Sequence, residues 1–98
     1  MTSPTTRHIG VVFYRQIRGK DHFNKLVHRY QSILEILSRT LDQAHFADGT
    51  IISLHSPKFI MGSQFDKVFI DREMPPDLVK CVIARLKQPE FEDTIRYY

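Results

Sequence analysis

Between Asp21 and Ala44 the chain sets Phe23, Leu26, Tyr30, Ile33, Leu34, Leu37, Leu41 and Ala44 at helical spacing. That spacing predicts one long amphipathic helix with a dry face and a wet one. Asp21 would cap its start by accepting from first-turn N–H groups, and Glu35 four residues before Arg39 would form a favourably ordered ion pair on its surface. Ile36 lies off the main stripe, which marks it as a satellite contact or part of a subunit interface.

The runs on either side turn this helix into an element order. His8 to Ile17 reads as a strand with Ile9, Val11 and Phe13 on one face and Gly10, Val12 and Tyr14 on the other. Apolar residues on both faces predict a central position in a sheet. After the Asp48-Gly49 turn dipeptide, Thr50 to His55 alternates, with Ile52 and Leu54 on one side and Ile51, Ser53 and His55 on the other. Ser56-Pro57 then punctuates the chain, Lys58 to Met61 would return antiparallel, and Lys67 to Asp71 forms a further strand or the same one continued past a bulge. Pro75-Pro76-Asp77 opens a second helix whose buried stripe is Leu78, Val79, Val82, Ile83 and Leu86; Pro89 ends it. Thr94 to Tyr98 is a terminal strand.

The resulting order, β-α-β-β-α-β, predicts an α+β domain of the split β-α-β, or ferredoxin-like, kind. This is a two-layer sandwich: an antiparallel sheet of four or five strands with two helices on one face. A chain of 98 residues makes one domain, large enough to bury a core without metal or disulfide support. Residues 1–7 are expected to be a disordered N-terminal tail and 8–98 the domain. Hydrophobic residues at 42% and charged residues at 26% are ordinary globular values, which argues against wholesale disorder. No apolar run approaches the ~18 residues of a spanning helix, and the polar first residues lack a secretory signal pattern. No membrane association and a cytoplasmic location are therefore expected. Cys81, the single cysteine, falls among Val79, Val82 and Ile83, where a free thiol is expected to be a small buried hydrophobe.

Charge is uneven: residues 1–45 carry a formal +4 and residues 46–98 carry −1. Arg15, Arg18, Lys20, Lys25 and Arg29 gather where the first strand gives way to the helix. Such a group can face phosphates or an acidic protein surface, while a solvated loop and helix face accounts for the same residues, and an overall +3 is a weak nucleic-acid footprint. Arg15, Arg18 and Lys20 also oppose the dipole of the helix that follows.

Chemical motifs are sparse. The five histidines include no H-x-x-x-H pair, the lone cysteine forms no C-x-x-C, and the four glycines form no phosphate cradle. His22 and His28, six residues apart on a helix, point in different directions. No metal or cofactor is expected. Asp66, Asp71, Glu73 and Asp77 surround the start of the second helix, but Lys67 and Arg72 interleave them, so solvated turn residues are the expectation. Phe13, Tyr14, Phe59, Phe65 and Phe69 could stack bases across an open sheet, yet the basic-Gly-aromatic run of RNA-recognition domains is missing, and core packing or a dimer face is the better reading.

These residues lead to a non-enzymatic binding or interaction module that self-associates as a homodimer, through its uncovered sheet face or the Tyr30/Ile36 side of the helix. Its partner, an acidic protein or a nucleic acid, would meet the basic cluster Arg15, Arg18, Lys20, Lys25 and Arg29. Two alternatives differ in class. One is nucleic-acid binding through residues 15–29; the other is a small-ligand binder or enzyme of the dimeric α+β barrel type, with Tyr14, His55 or His8 beside a pocket as acid or base.

Overall fold

The computed structural model describes residues 7–57, 60, 64–86 and 94–97. Its elements run β1 (Arg7–Val12), α1 (Gln16–Gln31), β2 (Ile36–Arg39), β3 (Gln43–Phe46), β4 (Thr50–His55), β5 (Lys67–Ile70), α2 (Pro76–Ile83) and β6 (Ile95–Tyr97). One six-stranded sheet has the order β2-β3-β4-β1-β5-β6. β1 pairs in parallel with both β4 and β5, β6 joins β5 in parallel, and only β2-β3 and β3-β4 are antiparallel. The class is thus α+β, and the central position of β1 is as its sequence predicts.

The ferredoxin-like layout is matched only in part. The sheet is mixed rather than antiparallel, and the helices lie on opposite faces of it. Alternation along the strands establishes this second point. Ile9, Val11, Ile52 and Phe69 point to one side and pack with Phe23, Leu26 and Val27 of α1. Val12, Val68 and Ile70 point to the other and pack with Val82 of α2, Met74 and Leu86. With both faces covered, β1 is dry on both sides, which is why its Ile-Gly-Val-Val run is apolar throughout.

The long predicted helix is the largest correction. Helix α1 begins five residues before Asp21 and stops at Gln31, where Ser32 donates its hydroxyl to the Arg29 carbonyl (2.6 Å). The remainder of the periodic segment is the β2-β3 hairpin. Its turn is built by Thr40, whose N–H donates to the Gln43 carbonyl (2.8 Å) and whose hydroxyl donates to Asp42 (3.0 Å). Ala44 and Phe46 are buried while Gln43 and His45 are half-exposed, a period of two that overrides the helical spacing. Ile33, Leu37 and Leu41, expected on the dry stripe, are 78%, 66% and 89% exposed. Ile36 lies on β2, not on a helix, and Glu35 and Arg39 are no longer one helical turn apart.

Smaller corrections follow. The first strand ends at Val12 rather than Ile17, and Arg7 belongs to it. Cys81 is exposed, because α2 turns Val82 rather than its neighbour toward the sheet. Of the expected arm from Lys58 to Met61, Ile60 alone is described, buried in the core; the helix stop at Pro89 and most of the expected tail lie outside the described residues.

Candidate functional site

At the end of β1 the chain passes through Phe13, Tyr14 and Arg15 and enters α1, whose N-terminus has no side-chain cap and no acidic residue in its first turn. The missing anion comes from the residue that follows β5. Asp71, fully buried, accepts the Arg18 guanidinium (3.1 Å), the Arg15 N–H (3.4 Å) and the Glu73 N–H (3.1 Å). A carboxylate here meets both the helix dipole and the Arg18 cation. The expectation that Asp71 is a solvated turn residue is therefore wrong. Glu73 completes the arrangement from the surface, reaching Arg15 (3.0 Å) and Arg18 (3.6 Å).

The five-residue basic cluster is dispersed by these contacts. Arg15 and Arg18 hold the β1-α1 junction to the end of β5. Lys25 pairs with Asp21 one turn earlier on α1 (3.1 Å). Lys20 points into a cleft at the carboxyl ends of the strands, and Arg29 lies at the opposite end of the sheet.

That cleft, about 840 Å³, contains both expected pocket residues, Tyr14 and His55, together with Lys20. The end of β1 supplies Phe13 and Tyr14, the end of β4 supplies Leu54, His55 and Ser56, the first turns of α1 supply Gly19 and Lys20, and the β2-β3 turn supplies Thr40, Leu41 and Asp42. Gly19 lets the helix press against the sheet, since a Cβ there would lie 2.9 Å from Phe13 Cβ and 3.1 Å from Leu54 Cδ1. Sequence reasoning missed Thr40, Leu41 and Asp42 because it placed them inside a helix. The signal was the alternation of Gln43-Ala44-His45-Phe46 beside a Thr-x-Asp turn.

Beneath His55 lies a polar chain across two strands. His8 Nε2 is 2.6 Å from Ser53 Oγ, which is 2.7 Å from His55 Nε2. Register explains the meeting, because Gly10 opposes Ser53 and Val12 opposes His55, so all these side chains share a face with His8. When both rings are neutral and the hydroxyl links them, it donates its one proton to one ring and accepts from the other, so the two imidazoles hold opposite tautomers. A serine within reach of histidine is also the beginning of a nucleophilic site. Ser53 is 4% exposed, however, and the Phe65 ring stands edge-on to both imidazoles (4.9 and 5.2 Å between centroids). In this conformation its oxygen is shielded, and the chain joins β1 to β4.

Burial is the main cause holding the His55 pKa below 6.5, with His8 adding to it and Asp42 opposing. His22, stacked on Phe13 (5.4 Å), is lowered by burial and then by Arg29 and Lys25. A depressed folded-state pKa means that the unfolded chain binds more protons in the window below 6.5, so stability falls as pH drops through it. Melting temperature is expected to be level above about pH 7.5 and to fall on acidification toward about pH 5.5. His22→Phe should flatten part of that slope. A melting temperature that rises over the same interval would contradict the assignment.

Among the described residues no group of three or more His, Cys, Asp or Glu side chains could hold a metal ion. Among the same described residues no helix is long and apolar enough to cross a membrane. No protein-family model matches the chain, and no curated protein matches it significantly.

Proposed function

We propose that the chain is a small, non-enzymatic binding module that takes its ligand in the cleft at the carboxyl ends of β1 and β4. One observation carries the reading. After β1 the chain turns to the face covered by α1, whereas after β4 it reaches Ile60 in the core on the face of α2. Neighbouring parallel strands that send the chain to opposite faces leave a crevice between them, the usual place for a ligand in such sheets. Here the crevice has an apolar floor of Phe13 and Leu54 and a rim of Tyr14, Lys20, Asp42 and Ser56. His55, with its lowered pKa, enters it as a neutral donor or acceptor at pH 7. The ligand this favours has an apolar body and a polar end.

Amide chemical shifts under a library of small fragments test the proposal. Binders are expected to move Tyr14, Lys20, Asp42 and His55 together, and Leu41→Glu, at a position already open to solvent, is expected to weaken apolar binders by about tenfold, or about 1.4 kcal/mol. A library that leaves these four amides unmoved counts against it. Self-association belongs to the same reading, with the β2 edge as its surface. Leu37 is 66% exposed there, and an antiparallel second copy centred on Leu37 would set Glu35 opposite Arg39 of that copy. Sedimentation as a monomer at high concentration removes this part.

A further inference from the structure

At the opposite end of the sheet, where β1, β4 and β5 begin, a second cleft of about 630 Å³ brings together Arg7, Arg29, Lys67 and Arg96. These four cations are far apart in sequence and come from β1, α1, β5 and β6. Among the described residues Asp48 is the one carboxylate lining the cleft, and it accepts the Thr50 N–H (2.9 Å) and the Thr50 hydroxyl (3.0 Å). Counted over the described residues alone, the lining carries a formal +3. Charge this concentrated in a concavity selects for an anion of more than one charge. Three guanidinium groups suit the oxygens of a phosphate, which they can bind through paired hydrogen bonds.

The walls narrow the ligand further. Tyr30 and Phe69 line the same cleft, with the Lys67 ammonium 5.3 Å from the Phe69 ring centre. A concavity of this volume holds a small molecule rather than a duplex, and its mixture of guanidinium and aromatic groups fits a body that is flat and apolar beside the phosphate. The geometry points to a second binding site, for a small organic phosphate with an aromatic body, formed by Arg7, Arg29, Lys67 and Arg96 over Tyr30 and Phe69. It lies at the other end of the strands from the carboxyl-end cleft and stands or falls separately from it.

Calorimetric titration with 1-naphthyl phosphate, 1-naphthol and inorganic phosphate tests the site on the full chain. The naphthyl phosphate is expected to bind at least about tenfold more tightly than either fragment. The Arg7→Gln/Arg29→Gln variant is expected to lose at least about tenfold of that affinity; because both side chains are exposed, its melting temperature should stay near that of the parent. Amide shifts should fall on Arg29, Tyr30 and Phe69. Equal affinity in parent and variant overturns the proposal, as do shifts confined to Tyr14 and His55, which would assign the compound to the other cleft. A twelve-nucleotide dT strand that binds more tightly than the naphthyl phosphate, with the same loss in the variant, overturns it in favour of a polymer.

Discussion

Phe65→Ala is expected to destabilise the protein by about 3–5 kcal/mol, the range for removing a fully buried aromatic ring. Phe65 is fully buried, and its ring fills the place where Gly10 has no side chain, with His8 and His55 meeting it at the sides. Its N–H donates to the Arg85 carbonyl (2.8 Å), so the segment before β5 is fastened to the end of α2 at the same point. At about 4–8 °C per kcal/mol for a domain of this size, the melting temperature should fall far enough to leave little folded protein at 37 °C. Urea titration measures the loss directly.

The reciprocal change tests the same contact from the other side. Replacing a strand glycine with alanine ordinarily gains about 0.5–1 kcal/mol of backbone entropy. At Gly10 the new Cβ would stand 2.6 Å from Phe65 Cε1 and 2.7 Å from Cδ1, and overpacking a closed core costs about 1–3 kcal/mol. The clash should win, making Gly10→Ala a destabilising change. Gly10→Ala combined with Phe65→Leu is expected to cost less than the sum of the two single changes, because the smaller side chain makes room. A Gly10→Ala protein as stable as the parent would show that the ring is not held where it lies.

Asp71→Ala is expected to cost about 2–4 kcal/mol, since it leaves the Arg15 and Glu73 N–H groups and the Arg18 guanidinium without their shared acceptor. Arg18 is 42% exposed and can turn to water, which keeps the figure below that of a fully buried pair. Glu73→Ala removes an exposed partner of the same two arginines and should cost less than about 1 kcal/mol. Hydrogen exchange separates the two variants further: only Asp71→Ala should accelerate exchange at Arg15 and through the first turn of α1, beside Tyr14 and Gly19 of the cleft. Equal effects from Asp71→Ala and Glu73→Ala would remove Asp71 from its place at the helix N-terminus.

Several elements were legible in the residues. The two-faced apolarity of Ile9 to Val12 marks a central strand, the alternation of Thr50 to His55 marks its neighbour, and Pro75-Pro76-Asp77 marks the start of α2. Each is a local pattern with one reading. Ile33 to Ala44 was not legible in this way, because Ile33, Leu37 and Leu41 satisfy helical spacing although all three are exposed. Their spacing has no counterpart in burial, since Ala44 and Phe46, not those three, reach the core. Tyr14 and His55 were singled out for their chemistry, and both line the carboxyl-end cleft. Thr40 to Asp42 were hidden from it by the same misreading of the hairpin.

Charge shows the limit of sequence most clearly. Arg15, Arg18, Lys20, Lys25 and Arg29 look like one cluster because they are near in the chain, yet Arg15 and Arg18 are turned to Asp71 and Glu73, Lys25 to Asp21, and Arg29 toward Arg7, Lys67 and Arg96. Sequence by itself determined the α+β class and the central strand, because the sides on which apolar residues fall are set by the local geometry of the backbone. Tertiary structure alone decided which charges are neutralised, which face each helix covers and which residues line each cleft. Those properties depend on strand order and register, which bring together groups from β1, α1, β5 and β6 that no spacing along the chain connects.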